Sequence, residues 1–534
     1  MIKGFRQIVG LTVLSRVLGM LRDMAFAFFL GASGVMDGWV IAFMIPNLAR
    51  RLFGEGAAAS SLIPVYSQEI EKDRAQADRL ALTVATVVFV VTAALVVVGE
   101  VVIWTWYSFT TLETTRLKLS LSGVMLPYMT MVCCVAILAG ILNTHRHFAA
   151  PAIAPVLLNV FLIITLCFGG WVLKVPARVQ VFVAAGGVLL AGLVQLAIQV
   201  PPLRSHGIHV RPAWEVRSAA FRRVLLLMGP MVFGLTATQI NTLADNFIAL
   251  WFSGSAEKGQ VFSWFGQRIH YPLWEGAVSH LFYAQRLYQF PLGVFGISLA
   301  TAIFPVMSAD AAKKDYAALC RTVAHGLRAA VFVSIPATIG LLLIAESAVA
   351  VIFQRGEFTS LDTIGTTFTL SFYVLGLSGY FAQHVLARAF YSLQESDIPA
   401  KSAAAAVLIN LCLNLTLVWF LGTGGLAAAT ALCSYLQVVV LVVVLRRRLG
   451  SGVLDGLARA IFQTIAVTVL MEAALLIVMY ILREQSHVVR LAVAVPTAAA
   501  VFLAAAKLLR LEMLTLILGP RRKPTAPPAP PTNP

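Results

Sequence analysis

Charged side chains interrupt the apolar stretches of this chain at a few well-defined places. Arg16, Arg22 and Asp23 fall in SRVLGMLRD, and Asp37, Asn47, Arg50, Arg51 and Glu55 in DGWVIAFMIPNLARRLFGEGA. Arg286 falls in YAQRLYQFPLGVFG. An ionisable group in the middle of a bilayer costs at least about 2.5 kcal/mol, so each should face a partner or a polar cavity. Arg16 and Asp23 are seven residues apart on one helical face, with Arg22 about one residue's rotation away. Asn47, Arg50 and Arg51 share a face at i, i+3 and i+4, next to Pro46, which should bend the helix. Arginine stays charged and offers phosphate a planar fork of donors. Arg16, Arg22, Arg50 and Arg286 together therefore predict a cavity for an anionic, phosphate-bearing substrate. For Arg51 and Arg6 the alternative is headgroup contact or bridges to Asp23, Asp37 and Glu55.

A second constellation is polar rather than basic. Asp245 lies in QINTLADNFIALWF, and Asn410 and Asn414 share a face at i, i+4. With the hydroxyl of Thr430 they form a candidate oxygen shell for a hard cation such as Na+, or a proton site. The competing expectation is interhelical hydrogen bonding by Asn and Thr.

The elements that must position these groups are membrane helices. The 534 residues are 59% hydrophobic and only 12% charged, with a mean hydropathy of +0.86. Apolar runs of roughly 18 to 25 residues recur, each long enough to cross about 30 Å of hydrocarbon as a helix. The expectation is an all-α polytopic membrane protein of about fourteen helices. Their predicted spans are 8–31, 36–66, 81–107, 119–143, 152–173, 180–202 and 222–252, then 281–308, 322–345, 364–392, 402–421, 424–445, 458–482 and 488–510. Arg16, Arg22 and Asp23 exclude a cleaved secretory signal and predict a retained first helix.

The net charge of +16 does not imply nucleic acid here, because basic residues fall between the apolar runs and chiefly on one side. That asymmetry predicts both termini in the cytoplasm. The six cysteines have no ligand spacing and read as small hydrophobes. Nucleophile-elbow, P-loop, HExxH and acidic-cluster motifs are absent from the sequence, which argues against an enzyme and against a resident cofactor.

Short matches suggest an internal repeat. Leu52-Phe53-Gly54 with Pro64-Val65 pairs with Val294-Phe295-Gly296 and Pro305-Val306, and Leu138 to Asn159 pairs with Leu386 to Asn410. Two pseudo-symmetric lobes follow, 1–215 and 216–450, with a substrate site between related halves. Residues 451–512 form a C-terminal helix pair, and 513–534 a proline-rich disordered tail. Loop 253–280, with Trp264, Phe265, Tyr271 and Trp274, is expected in the outer interface.

The arginine motifs, with FQRGEFT at 353–359, resemble in order and spacing the signatures of the MurJ/MviN lipid II flippases of the MOP superfamily. The likeness runs from about residue 5 to residue 510. It implies a monomeric carrier in the bacterial inner membrane that moves lipid II, a diphosphate-linked peptidoglycan precursor, between leaflets by alternating access. Arg16, Arg22, Arg50 and Arg286 match the family's functional arginines, and Asp23 and Asp37 its acidic positions. The same resemblance implies a lipid-tail groove at the last helix pair and coupling to Na+, H+ or membrane potential. Gln289 replaces an acidic residue that many relatives carry. The rivals are a MATE-type drug or O-antigen precursor exporter, which would favour an acidic cavity in the drug case, and a membrane-embedded glycosyltransferase, which needs a carboxylate cluster.

Overall fold

A computed structural model describes residues 2–52, 57–264 and 266–514 of the chain. Glu55 and most of the proline-rich tail lie outside the described residues. The described chain is helical almost throughout. The first helix, α1, runs Ile2–Leu30, and α2 runs Gly34–Ala49 after an N-cap from Ser33, whose hydroxyl accepts from the Met36 amide at 3.3 Å. Then come α3 (Ala57–Lys72), α4 (Arg74–Phe109), α5 (Glu113–Met125), α6 (Tyr128–Thr144), α7 (Ala149–Cys167) and α8 (Ala177–Ala197). The short α9 (Val200–Ser205) precedes α10 (Ala219–Trp251).

The second half holds α11 (Ala277–Pro291), α12 (Ser298–Ala312), α13 (Tyr316–Phe353), α14 (Ser360–Leu375) and α15 (Leu377–Ser392). It ends with α16 (Asp397–Leu449), α17 (Leu457–Ile481) and α18 (His487–Leu508). Among the described residues nine helical stretches are long and apolar enough to cross a membrane. One of them, α16, is two helices joined at Gly422, whose φ of 54° leaves the helical region.

Why these helices suit lipid is clearest in α4. Asp73 caps it, accepting from the Ala75 amide at 2.8 Å. Ala77, Leu80, Ala81, Val84 and Val88 recur at helical spacing and are buried, while Val97, Val98, Val101 and Val102 further along the helix are exposed. A water-soluble helix would place charge there. Here the exposed turns are apolar because their solvent is hydrocarbon.

The irregularity expected at Pro46 is present, and a second occurs at Pro291. Pro46 is followed by a wide turn at 50–52, and Pro291 ends α11 where the backbone widens into a π-helix, Leu292–Ile297. A proline cannot donate its helical hydrogen bond, and such turns absorb the missing link.

The chain forms two compact units. One takes in the described parts of Met1–Leu287 with Val349–Tyr373 and Ala400–Cys433. Its core includes Leu62, Tyr66, Leu80, Cys133 and Ile137. The other takes in the described parts of Tyr288–Ala348, Val374–Pro399 and Ser434–Pro534. Its core joins Phe332 of α13 to Met471 of α17 and Phe502 of α18.

One element departs from the all-helical expectation. Within the loop after α10, strands β1 (Val261–Trp264) and β2 (Gln267–His270) pair antiparallel, Phe262 opposite Ile269. Glu257 clasps this loop to α5, accepting from the backbone amides of Glu113 at 2.5 Å and Thr114 at 2.8 Å. Of the cysteines, Cys133, Cys320 and Cys433 are buried as expected, whereas Cys412 is exposed on the apolar surface.

Candidate functional site

Four arginines from three helical segments meet at one cavity of about 580 Å3 in the first unit. Arg22 comes from α1, Arg50 and Arg51 from the wide turn after α2, and Arg286 from α11. No carboxylate lines the cavity among the described residues. Helical geometry explains the aim of α1: Ser15, Gly19 and Arg22, at i, i+4 and i+7, all face the cavity.

Asp23 stands behind the guanidiniums rather than in the cavity. It is 3% exposed, and its Oδ1 accepts from Arg22 Nη2 at 2.7 Å while Oδ2 lies 3.1 Å from Arg286 Nε. The second contact is a close ion pair and not a directed hydrogen bond, since the Arg286 Nε–H has no acceptor in line. Arg286 also lies over the Phe282 ring, 4.5 Å from its centroid. Asn159 of α7 completes the support, accepting from Arg22 Nη1 at 2.9 Å and donating to the Ser15 carbonyl at 3.1 Å. Asn47 similarly accepts from Arg50, at 2.8 and 3.1 Å. Each fork is thus held by a neutral amide or a shared carboxylate, which fixes orientation while the positive charge persists.

Part of the lining is apolar and aromatic. Trp39, Phe43 and Tyr128 stack in series, with centroids 5.9 and 6.3 Å apart, and Phe43 and Tyr128 reach the cavity surface. Gln195, which donates to the Ala154 carbonyl at 2.6 Å, adds a polar edge. Such a wall suits a sugar or acyl portion next to a charged group.

Asp37 is not part of this cavity. It is 1% exposed and caps α11 across the fold: its oxygens accept from the Gly276 amide at 2.7 Å, the Ser279 amide at 2.8 Å and the Ser279 hydroxyl at 2.6 Å. A carboxylate at a helix N-terminus is favoured by both the free amides and the helix dipole. Beside it the RGEFT segment packs on the end of α1, where the Glu357 amide donates to the Phe28 carbonyl at 2.9 Å. Gly356 has φ +60°, and a Cβ there would collide with the Phe28 carbonyl. The glycine of that motif is therefore required by close backbone approach.

The polar constellation also assembles. Asn414 Nδ2 donates to Asp245 Oδ1 at 2.6 Å, Thr430 Oγ1 to Asp245 Oδ2 at 3.2 Å, and Asn410 touches both Asn414 and Thr430. Asn410 Oδ1 lies 2.9 Å from Asn241 Oδ1 and 3.1 Å from Asp245 Oδ1. Turning the Asn410 amide places its nitrogen against both acceptors and its oxygen 3.2 Å from the Thr430 amide, which satisfies the group at both ends. Asn414 Oδ1 is buried without a hydrogen-bond partner. The cluster thus brings the oxygens of Asp245, Asn410, Asn414 and Thr430 together with the Asn414 amide nitrogen, a hydrogen-bonded network between helices.

A profile of the lipid II flippase MurJ family matches residues 26–497. The probable lipid II flippase MurJ of Vibrio cholerae is 34% identical over 445 residues, covering 81% of this chain and 80% of its own. The chain belongs to the lipid II flippase MurJ family. Lipid II flippase MurJ of Burkholderia cenocepacia is 30% identical, with 82% of each chain covered. The fold is likewise that of a solved MurJ structure in an inward closed conformation, with a TM-score of 0.76 at 22% identity over 94% of this chain and 98% of that one. An inward-facing multidrug MATE transporter of the MOP superfamily matches with a TM-score of 0.62 at 15% identity, over 82% and 95%.

Within this MurJ family member, the residues singled out from sequence separate into three groups. Arg22, Asn47, Arg50 and Arg286 share the cavity, with Asp23 backing two of them. Arg51 also lines it and donates to Gln239 at 2.9 Å. Arg16 is exposed and does not line the cavity, and Asp37 seals a helix end elsewhere. Asn159, Tyr128 and Gln195 were not singled out as site residues. For Asn159 the signal was present, a lone amide in an apolar span and the mate of Asn410 in the repeat.

Proposed function

We propose that the arginine cavity grips the diphosphate of lipid II while the headgroup is carried from the cytoplasmic to the outer leaflet of the bacterial inner membrane, with the polyprenyl chain left in lipid. Four guanidiniums from three helical segments facing one cavity carry this assignment. The bidentate fork matches phosphate oxygens, and the Asp23 and Asn159 contacts keep two of the forks aligned without an anion in the lining. A cation-exporting MATE-type cavity would need acidic lining instead, and the described lining has none.

In the proposed arrangement the monomeric chain crosses the membrane fourteen times with both termini in the cytoplasm, so that loop 253–276 lies outside. The lobes 1–215 and 216–450 alternate access around hinges at Pro46 and Pro291, where helix geometry is already interrupted. The pair α17 and α18 offers the tail a groove, and the Asp245, Asn410, Asn414 and Thr430 cluster takes Na+ or a proton to couple the cycle. Complementation tests the grip: cells whose only flippase is the Arg22→Ala or Arg286→Ala variant should fail to build wall despite normal membrane levels of the protein. Full growth on either variant would remove the grip from the mechanism.

A further inference from the structure

On the membrane side that carries loop 253–276, the ends of α4, α5 and α8 enclose a cleft of about 290 Å3, separate from the arginine cavity. Arg116 of α5 and Arg178 of α8 bring two guanidiniums to it, Glu113 one carboxylate, and Leu117, Val179 and Phe182 an apolar floor. Arg116 is fixed in place: its Nε donates to the Thr110 carbonyl at 2.8 Å, and its guanidinium carbon lies 5.3 Å from the centroid of the Tyr107 ring. Its contact with Glu113 is a loose 3.8 Å, so donors at the end of the fork stay available. Arg178 is exposed, and the nearby Glu257 already has both oxygens engaged by backbone amides.

The surroundings identify the neighbouring phase. Trp104, Trp106 and Trp171 are exposed at this end of the helices, as indoles are where hydrocarbon meets headgroups. A cleft at that level with an apolar floor and a charged rim is open to a lipid. The cleft lining holds two cations and one carboxylate, and the Glu257 carboxylate also interacts with Arg178. This mixed rim complements a phosphodiester and a primary ammonium together better than a purely anionic headgroup, which would meet both carboxylates unfavourably.

The geometry points to a headgroup site for an aminophospholipid of that leaflet, its phosphodiester between Arg116 and Arg178 and its ammonium on Glu113. The site belongs to the membrane lipid and not to the transported substrate, because it shares no lining residue with the arginine cavity.

Native mass spectrometry of the delipidated full-length protein, titrated with dioleoyl phosphatidylethanolamine, phosphatidylcholine or phosphatidylglycerol, tests it. One saturable equivalent is expected, with phosphatidylethanolamine preferred by about fivefold over either other lipid. The Arg116→Ala/Arg178→Ala variant should lose that equivalent, and Arg178→Gln, which alters one exposed side chain, should weaken it. Glu113→Gln should keep phosphodiester binding and lose the preference for phosphatidylethanolamine over phosphatidylcholine. A wild type without a saturable equivalent, a double variant that binds like the parent, or a preference for phosphatidylglycerol overturns the site. Retained phosphatidylethanolamine preference in Glu113→Gln overturns the ammonium assignment.

Discussion

Asp23 of α1 and Arg286 of α11 meet at 3.1 Å behind the arginine cavity. The same carboxylate holds Arg22 at 2.7 Å, so one buried anion aligns two forks and leaves their charge facing the cavity. Fork geometry, and not charge alone, should therefore matter. Arg22→Lys and Arg286→Lys keep the charge but lose the bidentate contact. Each should lower the flipping rate in proteoliposomes by at least about tenfold, equivalent to about 1.4 kcal/mol. Parental rates in both lysine variants would reduce the cavity to a diffuse positive field.

Asp37 should act as a latch on the side of loop 253–276. Removing it strands two amides at the start of α11, at a cost of about 1–3 kcal/mol. In an Asp37→Ala background, a cysteine placed at the buried Phe358 should react with a membrane-impermeant maleimide faster than in the parent. Equal protection in both backgrounds would show that the cap contributes nothing to closure there.

Glu257 gives a pH-dependent prediction outside the membrane. Chiefly the Thr114 amide, and also the Glu113 amide, hold its carboxylate below the usual range. Because the folded value is depressed, the clasp is fully present above the unfolded value of about 4.5 and is lost as pH falls below it through the folded value. After correction for intrinsic exchange, amide protection at Glu113 and Thr114 should fall on acidification in that window. Glu257→Gln should remove the pH dependence, and a pH-independent parent would show that another group ties the loop to α5.

Much of the site was legible in the sequence because charge in hydrocarbon is costly wherever it sits, and so marks itself. Arg22, Arg50 and Arg286 announce a cavity, and Asp245 with Asn410 and Asn414 announces a cluster, before any fold is known. The facing of each group was less legible. Arg16 falls outside the cavity because six residues along α1 turn it well away from Arg22, whose face is shared by Ser15 and Gly19. The role of Asp37 was hidden because its three donors come from Gly276 and Ser279, and helix capping across a fold leaves no local pattern. The hairpin was hidden for a similar reason: two four-residue strands in an aromatic loop carry too short an alternation to stand out.

The Asp245 cluster separates a coupling site from simple interhelical glue. If its crowded oxygens hold Na+, the melting temperature of the purified protein should rise with NaCl relative to choline chloride at equal ionic strength. Asp245→Asn should abolish that difference. An identical melting curve in both salts for the parent would leave the cluster as a hydrogen-bonded helix contact.

The central claim is that these arginines hold a diphosphate while it changes leaflet, and the most direct measurement is the appearance of lipid II in the outer leaflet. In cells depleted of the native flippase, wild-type protein should restore access of an external probe to lipid II, and the Arg22→Ala/Arg286→Ala variant, inserted at the same level, should leave it at background. Outer-leaflet lipid II at the wild-type rate in that variant would contradict the account.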